Sequence, residues 1–384
     1  MDKISHSNLM AFTSDQIKIL HQKIETPALL VAEDRMDRNI LYMQTLADEN
    51  YSWLRPHIKT HKSVDIANRQ LTLGAPGVTV AKLSEAEVML DAGINDIFIA
   101  SQITHPLKIQ RLRTMHNRGR IIAAIDNEAQ IDLLKPMFEN ALRPLEVRIE
   151  IDSGLHRCGV NGMRQLVELA QKINEKEWLI LEGIFTHAGQ AYAAKSEEEL
   201  IKIGTLEGKT MEKAHDALRK HGMEVQTISV GSTPTVKYSV KNEAVNEIRP
   251  GNYIFYDGIQ LALGSTREEN CSLFVLATII SQPAPDRVVI DAGSKALNLD
   301  RGAHSSAMIE GFGTPLNVNG CIQRVSEEHG VIILKEKAEL QIGSPVIILP
   351  NHACTVVNLY ERYYLISERL EIETINISAR GKSQ

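Results

Sequence analysis

Apolar segments of strand length alternate with amphipathic stretches from about residue 26 to residue 256. The stretch 33–49, for instance, places Met36, Ile40 and Met43 on one face of a helix. Strands that alternate with helices in this way predict a (β/α)8 barrel. A doubly wound open sheet stays possible, although no GxGxxG turn follows an early strand. The eight predicted strands are Leu54–Thr60, Val78–Lys82, Asp96–Ser101, Ile121–Asp126, Leu145–Asp152, Ile184–His187, Thr227–Gly231 and Glu247–Ile254.

The pattern changes after about residue 257, where short apolar segments are separated by Gly, Pro, Asn or Asp. Such segments predict a mostly antiparallel β domain. We therefore expect two domains, a barrel at residues 26–256 and a β domain at residues 257–384 that also includes residues 1–25. The clearest β segments are Leu273–Ser281, Arg287–Ala292, Gly330–Leu334, Pro345–Leu349 and Tyr363–Ile366.

One predicted strand, Leu145–Asp152, alternates strictly between apolar and charged residues. Because helices cover the outside of a barrel, the apolar residues of this strand must face outward and the charged ones inward. Charges inside a barrel are costly unless they pair, so Arg148 and Glu150 predict an interior network of ion pairs. Asp152 stands at the carboxyl end of the strand, where barrel active sites are built.

Composition and net charge indicate which classes of partner and location are expected for the protein. The 384 residues are 43% hydrophobic and 23% charged, as in an ordinary globular protein. A net charge of −6 gives no reason to expect nucleic acid or an anionic membrane as a partner. No apolar run approaches the roughly 20 residues of a membrane helix, and no signal-peptide core is present, so we expect a cytoplasmic protein. Four scattered cysteines form no CxxC pair and are expected to be reduced; they are Cys158, Cys271, Cys321 and Cys354.

The stretch Arg55–Lys62 concentrates basic residues in the first predicted barrel strand. If the stretch is extended, Lys59 shares one face with His57 and His61, and Lys62 lies on the other face. Cationic neighbours lower the pKa of a lysine and make its amine available as a nucleophile. Lys59 is therefore a candidate Schiff-base lysine, and a basic, solvated strand edge is the alternative interpretation.

One glycine-containing segment follows the seventh predicted strand and another lies at the eighth, where barrels often bind phosphate on backbone amides. Gly231, Ser232 and Thr233 form the first segment, and Gly251 and Asn252 belong to the second. Glycine lets the backbone approach an anion, and hydroxyl groups add donors. Turn chemistry would also explain each segment alone, but the pair at both expected positions predicts a phosphate site.

Further polar side chains follow other predicted strands. Arg157 can direct a guanidinium at an anionic oxygen, and a surface loop is the alternative. His187 and Tyr192 follow the sixth strand, although a histidine there is often structural. In the β domain, His352 and Cys354 would point the same way from an extended segment and could share a divalent ion, with zinc favoured. A buried cysteine beside a polar loop is the alternative for that pair.

Six motifs follow the order in which one enzyme family carries them, between about Thr26 and Tyr364. They are Arg55–Lys62, Asp152–Gly159, Thr186–Tyr192, Gly231–Thr235, Arg249–Tyr253 and Pro350–Cys354. The chain resembles the D-threonine aldolases and eukaryotic-type, metal-dependent D-serine dehydratases, which are pyridoxal-phosphate enzymes of the alanine-racemase-like fold (fold type III). The resemblance implies a barrel followed by a β domain, a homodimer and a small D-amino acid as substrate.

The resemblance also implies roles for individual residues. It implies Lys59 as the catalytic lysine that forms the Schiff base with pyridoxal 5'-phosphate. It implies His352 and Cys354 as ligands of a divalent ion, which is zinc or alternatively manganese or magnesium. The other residues that it implies at the cofactor are Arg157, Tyr192, Gly231, Ser232, Thr233, Gly251 and Asn252.

The metal motif separates the branches of this family. Aldolases commonly carry His-Cys-Asp, whereas dehydratases tend to carry His-x-Cys, as His352 and Cys354 do here. Aldolase-like members also tend to have a histidine where this chain has Gln190. The resemblance therefore implies a lyase that converts D-serine or D-threo-3-hydroxyaspartate into a 2-oxo acid and ammonia. The alternatives are a D-threonine aldolase that releases glycine and an aldehyde, an amino-acid racemase, and a non-enzymatic carrier of the cofactor.

Overall fold

Two β-sheets organise the protein, one of them parallel and the other mostly antiparallel. The structure is a computed structural model, and it describes residues 9–302 and 309–384. The strands are β1 (Ala28–Ala32), β2 (Trp53–Leu54), β3 (Val78–Val80), β4 (Asp96–Gln102), β5 (Arg120–Ile125), β6 (Leu145–Ile151), β7 (Leu179–Thr186), β8 (Thr227–Val230), β9 (Glu247–Ile248), β10 (Leu273–Ala284), β11 (Arg287–Ile290), β12 (Thr314–Pro315), β13 (Gly320–Val325), β14 (Gly330–Leu334), β15 (Pro345–Leu349), β16 (Arg362–Ile366) and β17 (Ile372–Asn376).

Helices connect the strands, and none of the helices in the described parts of the chain is long and apolar enough to cross a membrane. Some of them begin with a side-chain cap: Ser196, for example, accepts a hydrogen bond from Glu199 N at the start of the longest helix. The α-helices are α1 (Ser14–Lys23), α2 (Glu33–Glu49), α3 (Val64–Thr72), α4 (Leu83–Asp91), α5 (Pro106–His116), α6 (Glu128–Phe138), α7 (Met163–Asn174), α8 (Glu197–Lys220), α9 (Val236–Ser239), α10 (Gly258–Ala262), α11 (Ser294–Leu297) and α12 (Ala353–Val357).

The parallel sheet contains β2 to β9 and closes on itself. Its strands follow the order β2-β9-β8-β7-β6-β5-β4-β3. The two end strands meet at Thr79 of β3, which donates its N–H to Pro56 O and accepts a bond from Ile58 N, both at 2.9 Å. The predicted (β/α)8 barrel is thus confirmed, and a closed sheet excludes the open doubly wound alternative.

Ion pairs fill the interior of this barrel. Arg148 of β6 is fully buried and donates to Glu182 Oε2 at 2.6 Å and to Glu247 Oε1 at 2.5 Å. Arg55 extends the network with bonds to Glu247 at 2.8 Å and to Asp96 at 2.5 Å. Burial alone would raise the pKa of Glu247, but the charges of Arg148 and Arg55 outweigh it and hold this pKa far below its usual range. The predicted interior network is therefore confirmed for Arg148.

The second sheet contains β1 and β10 to β17. Its main path is β13-β14-β11-β10-β1-β16-β17, and β15 pairs with β10 and β12. Strand β1 pairs in parallel with β16, and the other ladders of this sheet are antiparallel. The prediction of a mostly antiparallel sheet after residue 257 is confirmed.

The chain divides into two compact units. The barrel unit contains Tyr42–Lys59, Val64–Gly251 and Lys382–Gln384. The β unit contains the described residues up to Leu41 together with Thr60–Ser63 and Asn252–Gly381. Each unit has its own sheet, and residues 60–63 leave the barrel unit for the β unit directly after Lys59.

The apolar run Ala28–Val31 lies in the second sheet, whereas the sequence pattern places it at the start of the barrel segment. It forms most of β1, in which Leu30 stands opposite Phe274 of β10 and Tyr364 of β16. All five residues of β1 are buried, so the run shows no alternation that could indicate its sheet. Within the predicted segment 1–25, α1 belongs to the β unit, and residues 1–8 lie outside the described residues.

Candidate active site

Lys59 lies in a turn at the end of the first barrel strand. Strand β2 has only two residues, a single bridge then joins His57 to β3, and residues 58–61 form a turn. The predicted extended stretch is therefore wrong beyond His57, and alternation does not decide between Lys59 and Lys62. Pro56 lacks an N–H for pairing, and Lys62 adopts a left-handed φ of 53°, so neither residue continues a regular strand.

Backbone hydrogen bonds bring the glycine segments close to this turn. The N–H of His57 donates to the carbonyl of Pro250 at 3.0 Å, one residue before Gly251. Arg249 N donates to the last residue of β8 at 2.9 Å, directly before Gly231. The barrel unit thus gathers the lysine turn, the loop after β8 and the segment after β9, as the sequence predicts for three strand ends of one barrel.

Ser232 offers an unused hydroxyl group in the loop after β8. The residue is 3% exposed, and its Oγ has no hydrogen-bond partner among the described residues. A buried polar group without a partner costs about 1–3 kcal/mol, so a ligand oxygen is the expected partner. Gly231 packs closely against Arg249, because a Cβ at that position would lie 3.2 Å from Arg249 Cβ. The unused hydroxyl of Ser232 fits a bound phosphate group.

Positive charges surround His187 at the end of β7. Its Nδ1 lies 2.5 Å from the carbonyl oxygen of Gly231, so this nitrogen carries the proton. Burial lowers the pKa of His187 well below its usual value, and the charges of Lys59, Arg157 and Arg249 lower it further. The imidazole is therefore neutral. Three cations around one neutral ring make this end of the barrel attractive to an anionic ligand.

Two loops that follow β6 and β7 carry Arg157 and Tyr192. The side chain of Arg157 is 51% exposed and lies 3.8 Å from Glu150 Oε1, which is a loose contact. Tyr192 belongs to a 3-10 turn at residues 189–193, and Gln190 in that turn donates its Nε2–H to Ser153 O at 2.9 Å. The turn is thus tied to the loop of Arg157, whose guanidinium stays accessible to an anionic ligand.

Glu207 of α8 supports the same loops and was not identified from the sequence. Its carboxylate is 1% exposed and accepts bonds from Ala188 N at 3.2 Å and Thr235 Oγ1 at 3.0 Å. Burial raises the pKa of Glu207, although the bonds from Thr235 and Gly231 oppose this effect. No motif marks the residue, because it lies inside a long helix rather than at a strand end.

His352 and Cys354 lie at the start of α12 in the β unit. His352 is the extended residue before the helix (φ −134°, ψ 105°), and Cys354 lies in its first turn, so the predicted extended geometry is wrong for Cys354. The two side chains nevertheless form a hydrogen bond. Asp300 Oδ2 lies 2.9 Å from His352 Nδ1, and Thr60 Oγ1 lies 3.2 Å from Cys354 Sγ. Imidazole and thiol side by side form a donor set that fits zinc.

The contacts of His352 with Asp300 and Cys354 affect its pKa. Burial opposes the charged ring, but the bonds to Asp300 and Cys354 outweigh burial and raise the pKa of His352 well above its usual value. A metal ion binds neutral imidazole and thiolate, so it would displace protons from this pair.

Asp257 connects Asn252 to the helix of the candidate metal ligands within the β unit. Its carboxylate is fully buried and accepts bonds from Asn252 Nδ2 at 2.6 Å and Ala353 N at 2.8 Å. It also accepts a bond from Gln260 N as the cap of α10. The sequence pattern shows only this ordinary cap, because Ala353 is distant along the chain.

A second group of possible metal ligands occurs at the ends of β5 and β6. The ligand atoms of Asp126, Glu150 and Cys158 lie within 4.8 Å of one another. The carboxylates already have partners, since Gly159 N donates to Asp126 Oδ2 at 2.9 Å and Gln102 Nε2 donates to Glu150 Oε2 at 2.5 Å. Protein donors thus account for this group, and we assign no metal to it.

Two protein-family models match the chain. The model described as "Alanine racemase, N-terminal domain" matches residues 31–258. The model described as "Putative serine dehydratase domain" matches residues 272–366. The first match covers the barrel strands, and the second covers most strands of the antiparallel sheet.

Similar proteins align over nearly their whole length. The D-threo-3-hydroxyaspartate dehydratase of Delftia sp. (strain HT23) is 32% identical over 91% of this chain and 96% of its own. The D-threonine aldolase of Arthrobacter sp. is 30% identical over 94% of each chain. The solved structure of the Delftia dehydratase is 31% identical, has a TM-score of 0.87, and covers 93% of this chain and 98% of that one.

Two solved structures are variants of a D-threo-3-hydroxyaspartate dehydratase, each with one residue replaced by alanine. One variant replaces a histidine by alanine, and the other replaces a cysteine two positions later. The cysteine variant is described as being in the metal-free form.

Proposed function

The chain belongs to the family of pyridoxal-phosphate-dependent lyases that join an alanine-racemase-type barrel to a serine-dehydratase domain, and we propose that it is a metal-dependent dehydratase of D-3-hydroxy amino acids. The proposed substrates are D-threo-3-hydroxyaspartate and D-serine. The proposed products are a 2-oxo acid and ammonia.

The pair His352 and Cys354 is the observation on which we base the proposal of a dehydratase. The same two residue types at the same spacing are replaced in the solved dehydratase variants, and the variant without the cysteine is metal-free. Two protein ligands leave coordination positions open for water or substrate, as a catalytic ion requires. When bound, the ion supplies a Lewis acid for the β-hydroxyl group, which is otherwise a poor leaving group.

The barrel unit supports the proposed cofactor. Its loop after β8 offers a buried hydroxyl without a partner, and its cations favour an anion. When bound, pyridoxal phosphate supplies an electron sink for the electron pair that remains after the α-proton leaves. The residues that we propose to hold the cofactor are Lys59, Arg157, Tyr192, Gly231, Ser232, Thr233, Gly251 and Asn252.

Lys59 is the proposed base, and its Nζ takes the α-proton of the D-amino acid. His187 does not compete for this proton, because its pKa is low and its Nδ1–H is used by the carbonyl of Gly231. The exposed guanidinium of Arg157 is placed to bind an anionic oxygen of substrate or cofactor. The elimination removes one water, and the later hydrolysis returns one, so the net products are the 2-oxo acid and ammonia.

An aldolase is the second candidate, because the Arthrobacter relative is named a D-threonine aldolase. In that reaction, the β-hydroxyl would lose its proton and the Cα–Cβ bond would break. Gln190 opposes this reading, since an amide cannot act as the base that a histidine could provide. The side chain of Gln190 also has a structural use, because it donates to Ser153 O.

We also propose that the enzyme is a homodimer in the cytoplasm. The family resemblance supports the dimer, and light scattering after size exclusion tests it. A thiolate ligand requires a reducing compartment, which supports the location. None of the four cysteines forms a disulfide bond in the structure.

Chiral analysis tests the class of reaction. The loaded enzyme is incubated separately with D-serine, D-threo-3-hydroxyaspartate and D-alanine, and both enantiomers are quantified. We expect loss of a hydroxylated substrate, no L-enantiomer and no change in D-alanine. Appearance of L-amino acids would identify a racemase, and a bound cofactor without turnover would identify a carrier; either result would overturn the proposal.

Replacement of Ser232 by alanine should weaken pyridoxal-phosphate binding by roughly 10- to 100-fold, because a hydrogen bond to a charged group contributes about 1.5–3 kcal/mol. Titration of the apoenzyme, followed by cofactor absorbance, measures the Kd. Ser52→Ala is the matched control, since the hydroxyl of this buried serine of the barrel unit already donates to Val245 O at 3.0 Å. Equal Kd values for the two variants would contradict the assignment of Ser232.

A further inference from the structure

Asp300 contacts the candidate ligand His352 on one defined side of its ring. Its Oδ2 lies 2.9 Å from Nδ1, so the hydrogen bond uses the nitrogen nearer to the main chain. A carboxylate accepts bonds only, and Nδ1 must therefore carry the proton. In the neutral ring that a metal ion binds, this hydrogen bond leaves the lone pair on Nε2, which is then the nitrogen available to the ion.

The position of Asp300 is itself fixed by its neighbours. Asn351 is 2% exposed and donates its Nδ2–H to Asp300 O at 2.9 Å and to Gly311 O at 3.0 Å. Asn298 accepts a bond from Asp300 N at 3.2 Å on the other side. The main-chain carbonyl and N–H of Asp300 are thus both hydrogen-bonded to side chains. These bonds restrict the loop that places its carboxylate beside His352.

Cys354 has a corresponding contact on its sulfur. Thr60 is fully buried, and its Oγ1 lies 3.2 Å from Cys354 Sγ. A thiolate accepts hydrogen bonds but has none to donate, so the hydroxyl becomes the donor once the cysteine is deprotonated. Besides the hydrogen bond between them, each of the two candidate ligands therefore has a polar partner in the β unit that constrains its orientation.

We propose that Asp300 and Thr60 are positioning residues that orient His352 and Cys354 for a divalent ion, with Nε2 as the ligand atom of the histidine. The inference rests on the proposed function, because it presupposes that this pair binds a metal. Outer partners of this kind fix the tautomer and orientation of metal ligands, and their removal typically weakens metal binding 10- to 100-fold. The motif His-x-Cys alone does not reveal them, since both partners lie far from it in the sequence.

Metal titration of the pyridoxal-phosphate-loaded enzyme, stripped of metal beforehand, tests this role. Zinc affinity is measured by competition with a chelator. Asp300→Asn and Thr60→Val should each raise the zinc Kd by roughly 10- to 100-fold. Thr60→Ser keeps the hydroxyl group and should restore most of the affinity. Asp286→Asn, an exposed aspartate in the same unit, is the control and should leave the Kd unchanged.

Cobalt(II) distinguishes a positioning residue from a direct ligand. At saturating cobalt, the visible d–d bands of Asp300→Asn should match those of the wild type, because the ligand atoms stay the same. A changed spectrum would make Asp300 a ligand and overturn its positioning role. An unchanged zinc Kd in both Asp300→Asn and Thr60→Val would overturn the inference while leaving the proposed function intact. A wild-type protein that binds no zinc would instead refute the metal-dependent function itself.

Discussion

Replacement of Lys59 by alanine should remove the absorbance of lysine-bound pyridoxal phosphate and lower kcat by roughly 10⁴-fold, the upper range for a positioned acid–base group. The reason is that one amine anchors the cofactor and moves the α-proton. The nearby imidazole of His187 cannot replace it, because an imidazole forms no Schiff base and the low pKa of His187 makes its remaining nitrogen, Nε2, a weak base.

Lys62→Arg is the matched comparison for this variant. Lys62 lies three residues further on and is 7% exposed, so both replacements probe the same basic stretch. The arginine keeps the charge but cannot form the Schiff base, and we expect it to retain both absorbance and turnover. If the absorbance persists in Lys59→Ala and disappears in Lys62→Arg, Lys62 is the anchor and the assignment of Lys59 is wrong.

Replacement of His352 or Cys354 by alanine should remove the bound metal and lower kcat by roughly 10³-fold, since a Lewis acid contributes several kcal/mol of charge stabilisation. The absorbance of the bound cofactor should persist, because Lys59 and the loop of Ser232 belong to the barrel unit rather than to the β unit. Metal content by mass spectrometry, cofactor absorbance and turnover are measured on the same samples.

Cys321→Ala controls for the general loss of a thiol. Cys321 lies on β13 of the β unit and forms no disulfide bond, and it belongs to no group of three possible metal ligands among the described residues. We expect this variant to keep its metal and its activity. Removal of the metal by a chelator should reproduce the His352→Ala result, and re-addition of zinc should restore turnover. Full activity in the metal-stripped wild type would refute the role of the ion.

The barrel could be predicted from the sequence because its strands are patterned locally. The alternation in β6 places Arg148 inside the barrel, and the structure confirms that position. The partners of Arg148 could not be predicted, since Glu182 and Glu247 lie 34 and 99 residues away along the chain. The alternation within one strand shows which of its side chains face the barrel interior. Which charged residues pair there depends on how the strands are arranged in the sheet.

The sequence pattern predicts the wrong local structure where the chain passes from the barrel unit to the β unit. The stretch Arg55–Lys62 has the composition of a strand, yet regular pairing ends at Leu54, a single bridge follows at His57, and the chain then turns. Residues 60–63 belong to the β unit, where Tyr363 donates its hydroxyl to His61 O at 2.7 Å. Such a tertiary contact overrides the local preference for extension, and one sequence does not show it.

Only part of the candidate site could be predicted from the sequence. Motifs at strand ends indicated Lys59 and Ser232, because a barrel gathers the ends of its strands. Glu207 and Asp300 were missed, because each acts through contacts with distant loops and neither stands in a motif. Supporting residues of this type become identifiable only when the fold defines their partners.

The most direct test of the account is product identification with D-threo-3-hydroxyaspartate on metal-restored enzyme. Elimination of water from this substrate, followed by hydrolysis that returns the water and releases ammonia, gives oxaloacetate, whereas cleavage of the Cα–Cβ bond gives glycine and glyoxylate. We predict oxaloacetate and ammonia in equal amounts, with formation that stops in the metal-stripped enzyme and resumes with zinc. Glycine in amounts equal to the substrate consumed would contradict the dehydratase and establish the aldolase instead.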